Sequence, residues 1–427
     1  MNKVVLAYSG GLDTSVAVAW LKEQYGVEVV TLTVDLGGGS LRPGVEGRAM
    51  ASGASRAYVV DGRERFVTDF VWPHLQANAL YQGAYPLATA LARPLIAQLL
   101  VEVAKREGAD AVAHGCTGKG NDQVRFDVAT HALDPGLEVI APMRVGMGLT
   151  RDQEIDYANE RGIEIPITKE SPYSIDVNLW GRSCETGVLE DPWVTPPPDA
   201  YEWTVAPGDA PSPVDVAIEF EGGIPVAIDG ERLAPVPLVE RLHDLGGQHG
   251  VGRIDHVEDR LVGIKSREIY ETPAATILHT AHHALEGLTL SRDTLRFNRF
   301  VADELARLIY DGLWFSALSR DLRSYVASSQ RVVSGEVRVR LDHGQAVVAG
   351  RRSPLSLYDK SLATYDEGDA FDHASAVGFI EIFGLPLRVE AARHGAVGAR
   401  HGAAWTWTDP LLDGLPTTVT DPEPAAV

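Results

Sequence analysis

The sequence predicts a doubly wound, mainly parallel α/β domain over residues 1–165, followed by an α+β domain over 166–360. Three observations lead there. Up to about residue 165, strands that are apolar throughout alternate with amphipathic helical runs, a pattern that needs a parallel sheet covered on both faces. Between Asp191 and Val214 lie seven prolines, including Pro196-Pro197-Pro198, so this stretch is an extended connection rather than a helix or a central strand. Beyond it, apolar residues recur at every second position between tight turns, as antiparallel pairing requires. With 427 residues, 45% of them hydrophobic, the chain is long enough for the two or three cores this implies.

Lys3 to Tyr8 is a continuous apolar run ending in Ser9-Gly10-Gly11, after which Val16, Ala19 and Trp20 recur at helical spacing. Strand, tight loop and helix follow from that order. Val27 to Val34, Ala57 to Val60, Ala111 to His114 and Glu138 to Ala141 repeat the buried-strand signal. Ile96, Leu99, Leu100 and Val103 mark the inner face of a helix from about Arg93 to Gly108, and Thr150 with Gln153 forms a capping box opening a helix through Arg161. In the second domain Val214, Val216, Ile218 and Phe220 alternate with Asp215 and Glu219, and Gly222-Gly223 turns the chain into Ile224 to Ile228, an antiparallel hairpin. A helix follows with Phe297, Val301, Leu305 and Leu308 on one face. Val337, Val339 and Leu341 then alternate with Glu336, Arg338 and Arg340 before a turn at Asp342-His343-Gly344. An arm over 361–394 carries the apolar cluster Phe379, Ile380, Ile382 and Phe383, which needs a partner surface. From Gly395 to Val427 small residues and prolines replace periodic apolar ones, and a poorly ordered tail is expected.

Lys and Arg number 38 against 59 Asp and Glu, and the resulting charge of −21 opposes the counterion release on which nucleic-acid binding depends. It equally disfavours an anionic membrane surface. No stretch approaches the ~20 apolar residues of a membrane span. No nucleic-acid or membrane partner is therefore expected. Cys116 and Cys184 are too few for a disulfide framework or a Cys-based zinc site, and neither sits in a C-x-x-C pair. No metal site is expected, and a reducing, cytoplasmic compartment is.

Two segments carry chemistry. In Ser9-Gly10-Gly11-Leu12-Asp13-Thr14-Ser15 two glycines let a ligand approach the backbone, and the next residues sit where a helix start presents unpaired N–H groups. That geometry suits phosphate. It is neither a Walker A loop nor a dinucleotide G-x-G-x-x-G. The second segment runs from His114 to Arg125 and interleaves glycines with Thr117, Lys119, Asn121, Asp122 and Arg125. Thr117, Asn121 and Asp122 can receive an ammonium or donate to a carboxylate, and Arg125 offers a planar fork for gripping a carboxylate in two bonds.

The first motif, S-G-G-x-D-[ST]-S, resembles the pyrophosphate-binding loop of the N-type ATP pyrophosphatases, which split ATP between the α- and β-phosphorus to adenylate an oxygen. GMP synthetase, asparagine synthetase and the transfer-RNA thiolases are alternatives within that group, the last disfavoured by the acidic balance and unpaired cysteines. The second segment, taken with the first, resembles the argininosuccinate synthase family. The resemblance continues through Tyr85-Pro86-Leu87, Ala92-Arg93-Pro94, Tyr173 to Leu179, Ser183-Cys184-Glu185, Gly250 to Asp255, Lys265-Ser266-Arg267, Ile269 to Pro273 and Ser353 to Tyr358. It spans roughly residues 3 to 383.

What the resemblance implies is a nucleotide-binding domain over 1–165, a synthetase domain over 166–360 and an oligomerisation arm, in a homotetramer. It implies a ligase joining citrulline and aspartate through a citrullyl-adenylate, with ATP as substrate and Mg²⁺ carried on it. ATP would lie against Ala7, Tyr8, Ser9, Gly10, Gly11, Leu12, Asp13, Thr14 and Ser15, with Val34 touching the adenine by its backbone and Gly115 completing the site. Aspartate would meet Thr117, Asn121 and Asp122. Citrulline would meet Tyr85, Asn121, Arg125, Ser174, Ser183, Glu258 and Tyr270. Asp13 and Asp122 are the expected catalytic residues, Asp122 by orienting the aspartate ammonium and helping to accept its proton. The residue chemistry agrees: citrulline carries a carboxylate, an ammonium and a neutral ureido group, and Arg125, Glu258 and the Ser/Tyr set answer all three.

The chain also departs from the family. After the second strand it has Gly37-Gly38-Gly39, Pro43, Gly44 and Gly47, which shorten or break a helix and are expected to loosen the adenine pocket. Ala90 removes one hydroxyl near citrulline. The competing reading, favoured by that broken helix alone, is a paralogue that acts on another ureido acceptor or serves as an interaction protein.

Overall fold

The computed structural model describes residues 1–144, 146–149, 151–163, 173–366 and 368–400, with backbone alone for 151 and 395–400. Thr150, the expected cap of the helix Arg151–Glu160, lies outside the described residues. Among the described residues five strands form the first sheet: β1 (Lys3–Ala7), β2 (Glu28–Asp35), β3 (Arg56–Asp61), β4 (Ala111–Ala113) and β5 (Glu138–Ile140). All their pairings are parallel, in the order β3-β2-β1-β4-β5. The chain leaves β1 first to one side and later to the other, so the order reverses between β1 and β4. Ligands of open α/β sheets bind beyond the carboxyl ends of the strands at such a point. Val4, Val5 and Leu6 are fully buried, as strands covered on both faces must be.

The helix Ala88–Glu107 begins five residues before the expected Arg93 and runs through Pro94. An interior proline costs about 3 kcal/mol. Here Ala88, Ala90, Leu91 and Ala92 are buried in the preceding turn, and their packing carries the helix across it.

The second half adds β6 (Ser174–Asn178), β7 (Gly181–Glu185), β8 (Val214–Glu221), β9 (Ile224–Ile228), β10 (Glu231–Arg232), β11 (Arg253–Asp259), β12 (Lys265–Glu271), β13 (Gly335–Asp342) and β14 (Gln345–Arg352). They make two antiparallel sheets, β11-β12-β7-β6 and β10-β9-β8-β13-β14. Both expected hairpins form. The helix Arg292–Tyr310 buries Val301, Leu305 and Leu308, but Phe297 stays half exposed, edge-on to Tyr325 at 5.2 Å. In those first turns Leu295 and Asn298 face inward instead, Leu295 against the core and Asn298 Nδ2 donating to Glu286 at 3.2 Å, which the periodicity alone does not register.

Residues Met1–Tyr358 make one compact unit and Asp359–Val427 another. In the second, Phe379, Ile380, Ile382 and Phe383 are exposed on the helix His373–Phe383. The next helix, Leu385–Arg400, takes in the first six residues of the tail expected from Gly395; residues 401–427 lie outside the described residues.

Candidate functional site

The first glycine loop leaves β1 and feeds the helix Leu12–Tyr25, whose N-cap, Gly11, provides no side-chain cap. The N–H groups of the first turn are thus left for an outside acceptor. Gly10 has φ +72°, and a Cβ there would stand 2.9 Å from Val45 Cγ2 and 3.2 Å from an Arg48 guanidinium nitrogen. Only glycine fits. Within the loop the Tyr8 and Ser15 hydroxyls are 2.8 Å apart and those of Ser9 and Thr14 3.1 Å apart, while Asp13 is exposed. Gly115 follows β4 and is packed so closely that a Cβ would touch Thr14 Cγ2 at 3.0 Å. Val34 lies near the carboxyl end of β2, beside β1. The expected nucleotide residues therefore share one edge of the sheet. Arg42 and Arg48 also reach this loop, and Arg48 Nε is buried without a partner. Neither was marked by any sequence signal.

The helix after β2 is indeed short, Val45–Ala51. Of the glycines before it, Gly37 and Gly38 are closely packed, while a Cβ on Gly39 would meet nothing within 4 Å. Gly38 has φ +66°, and a Cβ on it would lie 2.6 Å from the Asn178 carbonyl oxygen, while Leu179 N–H donates to Leu36 O at 2.8 Å. They let the β2 loop press against the strand connection of the second half.

Beside the loops lies a cavity of about 360 Å³. Tyr85, Thr117, Asn121, Asp122, Arg125, Ser174, Ser183, Glu258 and Tyr270 all line it. They come from the turn before the helix Ala88–Glu107, the β4 loop with the first turn of the helix Asp122–Leu133, and strands β6, β7, β11 and β12. A larger cavity of about 680 Å³, lined by Trp203, His243 and Gly38 among others, contains none of the expected residues. The smaller one gathers all nine.

Its side chains hold one another. Glu258 accepts hydrogen bonds from Tyr270 Oη at 2.6 Å and Tyr310 Oη at 2.5 Å. Asn121 Nδ2 donates to Tyr310 Oη at 2.8 Å, and Asn121 Oδ1 accepts from Leu261 N–H at 2.9 Å. Tyr85 stacks on Tyr270 at 4.1 Å, and burial pushes both phenols up. Arg125 spends Nε on the Tyr310 carbonyl at 2.8 Å and Nη1 on Asp122 at 2.9 Å, so only its Nη2 is buried without a partner. The expected fork of two free nitrogens is thus reduced to one.

Asp122 also differs from expectation. Its carboxylate accepts from Arg93 at 2.8 Å as well as from Arg125. Burial would raise it, but the two guanidiniums prevail and hold it at about 2. Such an anion can orient an ammonium but is a poor proton acceptor near neutrality, so the orienting half of its expected role is the half the geometry supports.

Residues not anticipated include Arg93, Asp176, Glu185, Arg260, Glu268 and Thr89, all lining the cavity. Strand parity is the signal that finds three of them. Asp176 follows Ser174, Glu185 follows Ser183 and Glu268 precedes Tyr270 by two residues, hence on the same face. Arg260 donates to both Glu185 and Glu268, and burial, then Glu185 and Glu258, push the Glu268 carboxyl well up.

Residues 3–164 match the family model described as the Arginosuccinate synthase N-terminal HUP domain, and residues 173–390 match the Arginosuccinate synthase C-terminal domain. The chain belongs to the argininosuccinate synthase family. A relative named argininosuccinate synthase from Dehalococcoides mccartyi is 56% identical over 393 residues, covering 91% of this chain and 96% of its own. Those of the same name from Symbiobacterium thermophilum and Gloeobacter violaceus are each 57% identical, over 92% and 91% of this chain and 98% of theirs.

Proposed function

We propose that this protein joins L-citrulline to L-aspartate, in arginine biosynthesis, splitting ATP into AMP and pyrophosphate through a citrullyl-adenylate. The observation that carries the reading is the convergence, in a chain of this family, of all nine expected amino-acid-binding residues on one cavity beside an uncapped helix start. In the first step the ureido oxygen of citrulline attacks the α-phosphorus of MgATP. The first-turn N–H groups after Gly11 receive the departing pyrophosphate, with Ser9, Thr14 and Ser15 around it. Glu258 faces the citrulline ammonium, Arg125 Nη2 its carboxylate, and Ser174 and Ser183 offer hydroxyls to the remaining polar atoms. In the second step the aspartate amine, held by Thr117, Asn121 and Asp122, attacks the ureido carbon and expels AMP.

The exposed apolar face of the helix His373–Phe383 supports assembly through the arm, for which we propose a homotetramer. The free thiols of Cys116 and Cys184 support a cytoplasmic setting. Mixing protein, MgATP, citrulline and aspartate, with the products identified by mass, tests the chemistry. Argininosuccinate, AMP and pyrophosphate are expected. ADP with phosphate and no AMP, or turnover only with another ureido acceptor, would overturn it.

A further inference from the structure

Aspartate brings two carboxylates and one ammonium, yet Thr117, Asn121 and Asp122 offer it two neutral groups and an anion. A carboxylate drawn from water into a cavity needs a cation or several donors. Arg93 is positioned to answer. It lines the same cavity, donates to Asp122 at 2.8 Å and to Asp176, and keeps a buried Nε without a partner. Its backbone belongs to the buried helix Ala88–Glu107, so the guanidinium is held from a rigid element. Of the other arginines lining the cavity among the described residues, Arg125 is bonded to Asp122 and the Tyr310 carbonyl and its remaining Nη2 is assigned above to the citrulline carboxylate, while Arg260 is bonded to Glu185 and Glu268. Of Arg93's two carboxylate partners, Asp176 is the more open, its side chain 36% exposed against 26% for Asp122.

We propose that Arg93 grips a carboxylate of the aspartate substrate, and that Asp176 occupies that carboxylate's position until the substrate arrives. The inference rests on the ligation proposed above. The incoming carboxylate displaces Asp176 from Arg93, while Asp122 stays on the same guanidinium and faces the substrate ammonium. One arginine then fixes both ends of the nucleophile. No bond to Arg93 is made or broken beyond exchange of one carboxylate for another, so its effect falls on aspartate and not on the nucleotide.

The test measures the three KM values in the parent protein and in Arg93→Gln, Arg93→Lys and Asp176→Asn, together with turnover of asparagine and β-alanine, which each lack one carboxylate. Arg93→Gln should raise the KM for aspartate on the order of 10–150-fold, the scale of one charge-assisted bond, without a matching rise for citrulline or ATP. Arg93→Lys should fall between, since a point charge replaces a planar fork. Arg93→Gln should also narrow the preference for aspartate over one of the two analogues. Asp176→Asn should lower the KM for aspartate by removing an internal competitor. A uniform rise of all three KM values, or a rise for aspartate in Asp176→Asn as large as in Arg93→Gln, would make the pair a structural tie and overturn the inference. Should Arg93→Gln not fold, the Arg93→Lys shift and the sign of the Asp176→Asn effect decide it. Absence of argininosuccinate from the parent protein would instead defeat the proposed function.

Discussion

The loop Ser9–Ser15 and the arginine–carboxylate cavity border the same sheet edge but differ in what they offer a ligand. The loop offers backbone: an uncapped helix start, glycines without side chains and hydroxyls paired within the loop, with each other and with the Gly11 backbone. The cavity offers side chains whose bonds are already made, with Asp122 between two arginines and Glu258 between two tyrosines. A backbone site is set by a few consecutive residues and withstands the loss of a side chain. A side-chain network shares every charge among neighbours, so removing one member strands the others.

The sharpest test of this contrast is Asp122→Asn. It leaves Arg93 and Arg125 as neighbouring cations without their shared anion, and about 3 kcal/mol of stability should be lost. Argininosuccinate formation should fall sharply while citrulline-dependent exchange of pyrophosphate into ATP persists. The pH dependence follows from the same group. Its carboxyl is held at about 2 in the fold, below the ~3.9 of a free Asp, so the stability it contributes is full above about pH 4 and is lost as the pH falls toward 2. Chemical unfolding between pH 2 and 6 should show a shallower acid limb in the variant than in the parent protein, the rest of the limb coming from other paired carboxylates held low, such as Asp61 and Glu107. Equal unfolding midpoints across that range would mean the network shares no charge.

Gly38→Ala asks whether the backbone side of the contrast extends to the β2 loop. A left-handed residue costs about 1–2 kcal/mol without glycine, and here a Cβ would also meet the Asn178 carbonyl at 2.6 Å. Gly39→Ala is the control, with φ +84° but nothing within 4 Å of its Cβ. Thermal unfolding should separate the two, Gly38→Ala being the lower. Identical melting temperatures would mean strain alone, not close approach, requires the glycine.

Tyr310→Phe removes the acceptor of Asn121 and one donor to Glu258 at once. A loss of about 1–3 kcal/mol and a raised KM for citrulline are expected, with the KM for ATP unmoved. Parallel changes in both would show that the phenol props up the whole crevice. The smallest effect belongs to Ser9→Ala, where one half-buried hydroxyl pair is lost and about 0.5–1 kcal/mol is at stake, read as a modest rise in the KM for ATP. A collapse of activity there would break the contrast, because it would make the side chain rather than the backbone the ligand of the loop.

What the sequence determined by itself is local or periodic. Apolar strands that alternate with helical stripes dictate a parallel sheet, paired glycines after the first strand dictate an open helix start, and alternation over Val214 to Phe220 dictates a hairpin. Each is settled by neighbours a few residues apart, through steric limits on φ and ψ and through the period of the side chains. Nine of the cavity's residues were legible too, through the resemblance of their segments to the family, while Arg93, Asp176, Arg260 and Glu268 were not. Nor were the partnerships within the cavity. Arg93 meets Asp122 across 29 residues and Asp176 across 83, and Tyr310 reaches Asn121 across 189. Periodicity says which face a residue occupies but not what faces it. Only the packing of the two halves made Asp122 a fixed anion, left Arg125 one free nitrogen and turned Gly38 toward the Asn178 carbonyl, because charge, burial and clearance are properties of what surrounds a group and not of its place in the chain.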